Sequence, residues 1–332
     1  MKKIMMFISI LVIISILAFA FTACSGTPSK DSQATTSTAA NAGGDDKYVI
    51  GISVSGFQAP YFKALIAAAE VEAKNQNVEL KVLDAEWDAQ KQASQVESLI
   101  QQKCDVIEII PCDSKAIIPS MKKVKEANIP LFVVNTQHDA EAEDLIVSFI
   151  GASMEDEASM AADSVKSALG DKGGTVVMIE GAAGSFPAIH RSSGFLDAIK
   201  DNPNIKVVAN QNAGWDRAQA QKVMEDFLTR YPEIDVLYAH DDNMAIGAIQ
   251  AIKAAGRQDK IKVVSISGTI EGYASVKAGE MISTVSQPPD WEGKSAVEYA
   301  VKFLKGEKLE KWIKTPIAQV TKDNVDQFKG VW

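Results

Sequence analysis

Cysteine and histidine are scarce in this sequence of 332 residues, which contains three of each. No spacing among them matches a zinc-binding motif. Cys104 and Cys112 flank the apolar segment 106–110. If that segment is a strand, eight residues at about 3.3 Å each separate the two sulfurs by roughly 26 Å. A disulfide needs Cα atoms within about 7 Å, so the sequence predicts no bridge between these two cysteines.

An excess of positive charge is also lacking. The chain has 34 Lys and Arg against 43 Asp and Glu, a formal net charge of -9, and it has no run of basic residues. Nucleic-acid binding depends on neutralising phosphates, so a nucleic-acid partner is not expected. Hydrophobic residues at 46% and charged residues at 23% are typical of globular domains. The length is sufficient for two of them.

One long apolar run is present, over residues 4–21, and it follows a charged start and precedes the tetrapeptide FTAC. This arrangement resembles a bacterial lipobox, with Phe where Leu is usual. We expect residues 1–23 to be a lipoprotein signal peptide and a lipidated Cys24 to anchor the chain to the outer face of the cytoplasmic membrane. The alternative is an uncleaved membrane anchor, because about 20 apolar residues span a bilayer. Residues 24–46 are polar and small, which predicts a flexible tether.

From Tyr48 onward, short apolar segments alternate with segments of helical spacing. The alternation reaches residue 134, restarts with a helix predicted over 154–168, and continues to a strand predicted over 262–266. Apolar strands that alternate with helices indicate a parallel sheet covered on both faces. The sequence therefore predicts two α/β lobes in series with a cleft between them.

Ligands of open α/β sheets bind outside the carboxyl ends of the strands. In this chain the residues at those strand ends are 55–62, 135–136, 181–191, 212–215, 241–242 and 267–268.

Six segments, in chain order, resemble the ribose-type periplasmic sugar-binding proteins, which are type I substrate-binding proteins of ABC importers. They are IGISVSGFQAPYF, DAQKQASQVESLIQQKCDVIEIIPCDS, GAAGSFPAIHRSSGFLDAIK, YAHDDNMAIGAIQAIKAAG, VVSISGT and STVSQPP. The resemblance covers residues 48–325, and its second half is particularly similar to the galactofuranose-binding branch.

The resemblance implies the type I periplasmic binding protein fold, an α/β fold of two doubly wound parallel-sheet lobes joined by three hinge crossings. The crossings are expected near residues 151–153, 286–288 and 315–317. The N-terminal lobe would then comprise 47–151 plus 288–316, and the C-terminal lobe 152–287 plus 317–332.

The resemblance also implies a sugar site. Tyr61 and Phe62 match the aromatic pair that stacks on the sugar ring, and Trp215 matches the opposite aromatic wall. Arg191 matches an arginine whose planar fork can bind two ring oxygens. Trp87 and Trp312 align with the outer rims and are expected to be packing residues. The complete set of predicted ligand-binding residues is Gln58, Tyr61, Phe62, Asn135, Thr136, Arg191, Trp215, Asp241, Ser267 and Gln287.

Three of these positions, and Ala59 beside Gln58, depart from the family pattern. Gln58 is proposed as a substitute because the family's neighbouring Asn is Ala59 here. Asn135 and Thr136 stand where the family often has Asp and Arg, and Ser267 stands where it often has Asp. Two carboxylates and one cation are therefore missing, which weakens the case for a plain pentose or hexose. The ligand would be modified, larger, or not a sugar.

Two adjacent carboxylates, Asp241 and Asp242, precede a helix that is expected to stop at Gly256. Asp241 matches a ligand-contacting residue, and Asp242 is predicted to be the helix N-cap. A metal site would need more converging oxygen ligands. The acid pair of a glycosidase would face each other across the scissile bond. No metal, cofactor or catalytic residue is therefore expected.

The function that these patterns favour is the substrate-binding lipoprotein of an ABC importer. It would be a monomer that captures a sugar-like solute by hinge closure and delivers it to a permease and its ATPase. The main alternative is a receptor that passes a sugar or signal molecule to a chemotaxis protein or a sensor kinase. An enzyme on the same lobes lacks a nucleophile with a base, and an exported N-terminus excludes a transcriptional repressor.

Overall fold

The computed structural model describes residues 47–332, so the predicted signal peptide, Cys24 and the whole of the predicted tether lie outside the described residues. The strands are β1 (Tyr48–Val54), β2 (Val78–Asp84), β3 (Val106–Ile109), β4 (Leu131–Val134), β5 (Ser148–Gly151), β6 (Gly174–Glu180), β7 (Ile205–Asn212), β8 (Val236–Ala239), β9 (Lys262–Ser267), β10 (Ser283–Ser286), β11 (Trp312–Lys314) and β12 (Ala318–Thr321). The α-helices are α1 (Pro60–Asn75), α2 (Ala89–Gln101), α3 (Ile118–Glu126), α4 (Met154–Leu169), α5 (Phe186–Ile199), α6 (Arg217–Arg230), α7 (Asp242–Ala254), α8 (Ile270–Ala278) and α9 (Pro289–Leu304).

These strands form two sheets, and each sheet defines one lobe. The sheet of lobe 1 has the order β11-β5-β4-β3-β1-β2 and is parallel throughout. The sheet of lobe 2 has the order β12-β10-β9-β8-β6-β7 and is parallel except for β12, which runs antiparallel to β10. The predicted fold class, two doubly wound α/β lobes, is confirmed.

The chain passes between the lobes three times. It leaves the sheet of lobe 1 after β5 and enters α4, which packs on α5, β9 and β10 of lobe 2. It returns between β10 and α9, which packs on α1 of lobe 1, and it crosses again between β11 and β12. We call these connections crossings one, two and three.

Apolar residues on both faces of each sheet explain why the strands read as continuous hydrophobic runs. In lobe 1, Ile50 and Ile52 pack against α1 and α9, whereas Ile107 and Ile109 pack on the other face against α2 and α3. Burial on both faces is the usual condition of a parallel sheet. Gly293 lets α9 approach α1 closely, since a Cβ there would lie 1.9 Å from the carbonyl oxygen of Leu65.

The largest differences from the predicted boundaries occur at prolines and turn carboxylates. The spacing of apolar residues predicts a helix over 114–127, whereas α3 begins at Ile118, because the Asp113 side chain accepts hydrogen bonds from the backbone of Lys115 and Ala116 and holds a turn there. The same spacing predicts a helix over 189–200, whereas α5 begins at Phe186, because Pro187 is tolerated in a first helical turn.

One carboxylate is buried in the apolar core of lobe 1. Glu108 lies in β3 between Ile52 and Phe132 of the neighbouring strands and is fully buried, and neither of its carboxylate oxygens has a hydrogen-bond partner in residues 47–332. Burial raises the pKa of Glu108 from 4.5 to about 8.

Among residues 47–332, none of the helices is both long and apolar enough to cross a bilayer.

Candidate ligand-binding site

A cavity with about 570 Å³ of empty space lies between the lobes, at the carboxyl ends of their strands. Its lining residues are Ala59, Pro60, Tyr61, Phe62, Trp87, Asn135, Thr136, Met154, Pro187, Arg191, Trp215, Asp241, Ser267, Gln287 and Trp332. Nine of the ten sequence-predicted ligand residues are among them. The structure thus brings together residues that are up to 226 positions apart in the chain, from Tyr61 to Gln287.

Gln58 is the predicted residue that does not line the cavity. It is exposed in the loop before α1, and its side-chain oxygen turns back toward Gly56, where an added Cβ would meet it at 2.6 Å. In this structure Ala59, and not Gln58, lines the cavity at this position.

Aromatic rings form most of one wall. The rings of Tyr61 and Phe62 meet edge to face at 5.9 Å, and Phe62 lies 6.1 Å from Trp87. On the other side, Tyr61 meets Trp332 edge to face at 5.3 Å. Trp215 lies across the cavity on lobe 2. Flat apolar rings on two sides, with polar groups between them, suit a ring-shaped solute that has apolar faces and polar edges.

Two tryptophans of this cavity were not predicted as site residues. Trp87 packs on the core of lobe 1, as predicted, but it also lines the cavity: its backbone N–H donates to Ser55 O at 2.6 Å, and the turn places its ring against Gly56. Trp332 follows the last strand by eleven residues, so the strand-end rule could not indicate it. The contact of the Trp332 ring with Tyr61 arises only when the chain folds, so no local sequence pattern indicates it.

Backbone strain is concentrated at the cavity. Four non-glycine lining residues have left-handed φ angles: Trp87 at 62°, Asn135 at 59°, Trp215 at 64° and Ser267 at 132°. Such conformations cost free energy and persist where the surrounding structure imposes them, often at functional sites. Their occurrence at this cavity supports a binding role for the side chains that they orient.

Arg191 lies in a buried ion pair at the lobe 2 side of the cavity. Its Nε and Nη2 both donate to Glu157 Oε2, at 2.9 and 2.7 Å, and its Nη1 donates to the His240 carbonyl at 2.8 Å. Burial raises the pKa of Glu157, and Arg191 opposes that shift. Burial likewise opposes the charge on Arg191, but Glu157 outweighs it and the pKa of Arg191 is raised. The guanidinium is therefore held in one plane facing the cavity.

A second buried carboxylate, Glu292, joins the cavity to the crossings. Its Oε2 accepts from Asn135 Nδ2 at 2.9 Å, and its Oε1 accepts from Thr315 Oγ1 at 2.7 Å and Gln287 Nε2 at 3.3 Å. Gln287 Oε1 in turn accepts from Arg191 Nη2 at 3.0 Å. Burial raises the pKa of Glu292, and these donors oppose the shift. Sequence reasoning missed Glu292, since nothing nearby in the chain marks it.

The helix N-cap role that was predicted for Asp242 belongs to its neighbour Asp241. Asp241, not Asp242, is the N-cap of α7, because its side chain accepts from Met244 N at 2.7 Å. It also lines the cavity, and burial, reinforced by the charge of Asp242, raises its pKa to about 7. Asp242 is fully buried and accepts from Ser265 Oγ, Thr284 Oγ1 and Thr269 N. The sequence could not reveal those three donors, which come from β9, β10 and the start of α8.

This reversal predicts different stability costs for the two aspartates. Asp241→Ala should lower the free energy of unfolding by about 1 kcal/mol, as expected for a lost N-cap. Asp242→Ala should lower it by about 3 kcal/mol, because three buried donors lose their acceptor. Urea unfolding of both variants beside the wild type measures the difference. Equal losses would mean that the hydrogen bonds of Asp242 add nothing beyond a cap.

The cavity contains unmet hydrogen-bonding groups. The indole Nε1 of Trp332 is buried and has no hydrogen-bond partner in the described part of the chain. The hydroxyl of Tyr61 is also buried without a hydrogen bond of good geometry, and burial together with the nearby Glu292 carboxylate raises its pKa. Buried polar groups of this kind usually have a partner, so a bound polar solute would satisfy them.

Among residues 47–332, no group of three or more His, Cys, Asp or Glu side chains is placed to hold a metal ion.

Two lobes that close a cavity of aromatic and hydrogen-bonding side chains define a class of protein, the two-lobed binders of small solutes. Residues 50–308 match the family model described as the periplasmic binding protein domain, and the chain belongs to this family.

Similar proteins narrow the comparison to sugar-binding members. The ribose import binding protein RbsB of Bacillus subtilis (strain 168) is 35% identical over 306 residues, which are 92% of this chain and 96% of that protein. A galactofuranose-binding protein of known structure has a TM-score of 0.80 at 30% identity, covering 84% of this chain and 96% of its own. An ABC transporter solute-binding protein from Bacillus halodurans C-125, with bound myo-inositol, has a TM-score of 0.81 at 29% identity, covering 86% and 98%. The resemblance identified from the sequence motifs is confirmed.

Proposed function

We propose that this protein is the substrate-binding component of an ABC importer and that it captures a sugar or cyclic polyol between its lobes. The observation that carries the proposal is the cavity itself, in which Trp215 faces Tyr61 and Phe62 while Arg191 and Asp241 present charged groups to the space between them. Aromatic faces cover the C–H surfaces of a sugar ring, and planar polar groups bind its hydroxyls. Sugar binding by the similar proteins supports the same conclusion.

The departures from the family pattern favour a neutral solute. On the lobe 1 side, Asn135 donates to Glu292, and its Oδ1 accepts from Thr136 Oγ1 at 3.2 Å. These two residues and Ser267 offer the solute neutral donors and acceptors in place of two carboxylates and a cation. The arginine charge is balanced by Glu157. A neutral furanose, pyranose or inositol therefore fits the charge of the cavity better than a charged sugar acid.

The remaining features of the proposal come from the sequence. Lipidation of Cys24 would tether the protein to the outer face of the membrane, and a Cys24→Ser variant that still incorporated labelled palmitate would contradict it. Lobe limits of 47–151 with 288–316 and 152–287 with 317–332 agree with the sheet to which each strand belongs. The protein acts as a monomer, without catalysis, and presents its closed form to the permease and ATPase.

A thermal-shift screen tests the proposal. The purified protein is heated with D-ribose, D-allose, myo-inositol, L-arabinose and xylitol, together with nucleosides. A solute that binds only the folded protein raises the melting temperature by mass action. We expect at least one sugar or polyol to raise it, and Asp241→Ala, which removes a cavity acceptor, to abolish the shift. A shift with nucleosides alone would reassign the ligand class.

A further inference from the structure

The segment that follows the last strand packs on α8 and reaches the cavity at Trp332. Phe328 packs on Tyr273 of α8, with ring centroids 6.0 Å apart. Gly330 lies so close to α8 that an added Cβ would be 2.7 Å from the Ile270 Cα. The Ile270 N–H donates to Trp332 O at 2.9 Å. The backbone of residues 328–332 is therefore attached to lobe 2.

The side chain of Trp332 contacts the other lobe. Its ring meets Tyr61 of α1 edge to face at 5.3 Å, and it packs on the core of lobe 1 that contains α1 and α9. Edge-to-face aromatic pairs are stabilising beyond the area that they bury. Trp332 is thus a contact between the lobes that is separate from the three crossings.

The indole N–H of Trp332 is buried at the cavity and has no partner within residues 47–332. A buried indole N–H usually donates to an acceptor, and leaving it unpaired costs free energy. The acceptor that would reach it is an oxygen of a solute in the cavity that Trp332 lines. A sugar or polyol carries such oxygens on every edge of its ring.

We propose that Trp332 is a ligand-binding residue that also holds the lobes together: its N–H donates to an oxygen of the bound solute while its ring closes the cavity mouth against Tyr61. The hydrogen bond to solute rests on the proposed function, whereas the contact between lobes does not. Trp332 therefore couples solute binding to lobe closure through a contact that is separate in the chain from the three crossings.

Two substitutions separate the two roles. Trp332→Phe keeps a ring against Tyr61 but removes the N–H, and Trp332→Ala removes both. Trp291→Phe is the matched control, because Trp291 packs on lobe 1 and lines a surface groove away from the cavity. Calorimetric titration uses whichever of D-ribose, D-allose or myo-inositol binds the wild type most tightly.

We expect Trp332→Phe to raise Kd about fivefold, the effect of one lost hydrogen bond. Trp332→Ala should raise it about thirtyfold, since the aromatic contact is lost as well, and Trp291→Phe should stay within about twofold of the wild type. Melting temperatures verify that each variant is folded. Kd values within twofold of the wild type for both Trp332 variants would overturn the ligand-binding role.

Small-angle X-ray scattering without solute tests the contact between lobes independently. Trp332→Ala should have a larger radius of gyration than the wild type, and Trp291→Phe should not. An unchanged radius for Trp332→Ala would overturn the lobe contact. If none of the sugars and polyols of the thermal-shift screen binds the wild type, the hydrogen bond to solute fails together with the proposed function, and the scattering result still decides whether Trp332 joins the lobes.

Discussion

Arg191→Met should lower the free energy of unfolding by about 3–5 kcal/mol and abolish solute binding. The reason for the stability loss is Glu157, whose fully buried carboxylate would lose the two hydrogen bonds and the positive charge that balance it. Removing one partner of a buried ion pair leaves an uncompensated charge, which accounts for a cost of about 3–5 kcal/mol. Urea unfolding and calorimetric titration measure the two effects.

The double variant Arg191→Met with Glu157→Gln separates stability from binding. It removes both charges, so most of the lost stability should return, because buried ion pairs are often replaceable by neutral side chains. Solute binding should not return, because the guanidinium that lines the cavity is still absent. Recovery of binding in the double variant would show that Arg191 serves the fold alone.

Glu108→Leu should stabilise the protein by about 3 kcal/mol at pH 7. The pKa of Glu108 is about 8 in the folded protein against an ordinary 4.5. At pH 7 the carboxyl therefore ionises in the unfolded chain but stays largely protonated in the folded chain. Since pH 7 is about 2.5 units above the unfolded pKa, and each unit corresponds to about 1.4 kcal/mol, ionisation stabilises the unfolded chain by about 3 kcal/mol. Leucine has no charge to bury and fits the surrounding apolar side chains. Urea unfolding at pH 7 measures the gain.

The pH dependence identifies the cause. A carboxyl whose folded pKa is raised contributes its full stability below about pH 4.5, and that contribution is lost as the pH rises through about 8. The stability advantage of Glu108→Leu should therefore grow between pH 5 and pH 8. Glu108→Gln is the control, since it removes the ionisation but keeps a buried polar group. A gain that does not change with pH would indicate packing, not ionisation, as its cause.

The fold was predictable because its signal is local. The sequence pattern predicts a strand over 48–54, a helix over 217–230 and a strand over 236–239, and β1, α6 and β8 have these bounds, since apolar strands and amphipathic helices each have their own periodicity. The antiparallel direction of β12 was not predictable in this way. Strand direction depends on where the chain re-enters the sheet, and three crossings determine that.

The candidate site was predictable only where it follows strand ends. Asn135, Asp241 and Ser267 lie there, and the structure places them at the cavity. Glu157 and Glu292 lie inside the first turns of helices, where an acidic residue is ordinarily a solvated partner of the helix dipole. Their burial, and the donors they meet, depend on residues more than thirty and more than one hundred positions away.

The position of Glu292 has a consequence for the kinetics of binding. Its carboxylate is hydrogen-bonded to Gln287 in crossing two and Thr315 in crossing three, and the Thr315 N–H donates to Gly151 O at the start of crossing one. When the lobes rotate about these connections, atoms near the axis travel short distances and remote atoms travel far. Asn135 and Gln287 lie beside these connections and therefore move little relative to each other, whereas Trp215 moves with lobe 2. We expect solute release to require movement of Trp215 away from lobe 1, so the residence time of the solute depends on how readily the lobes open.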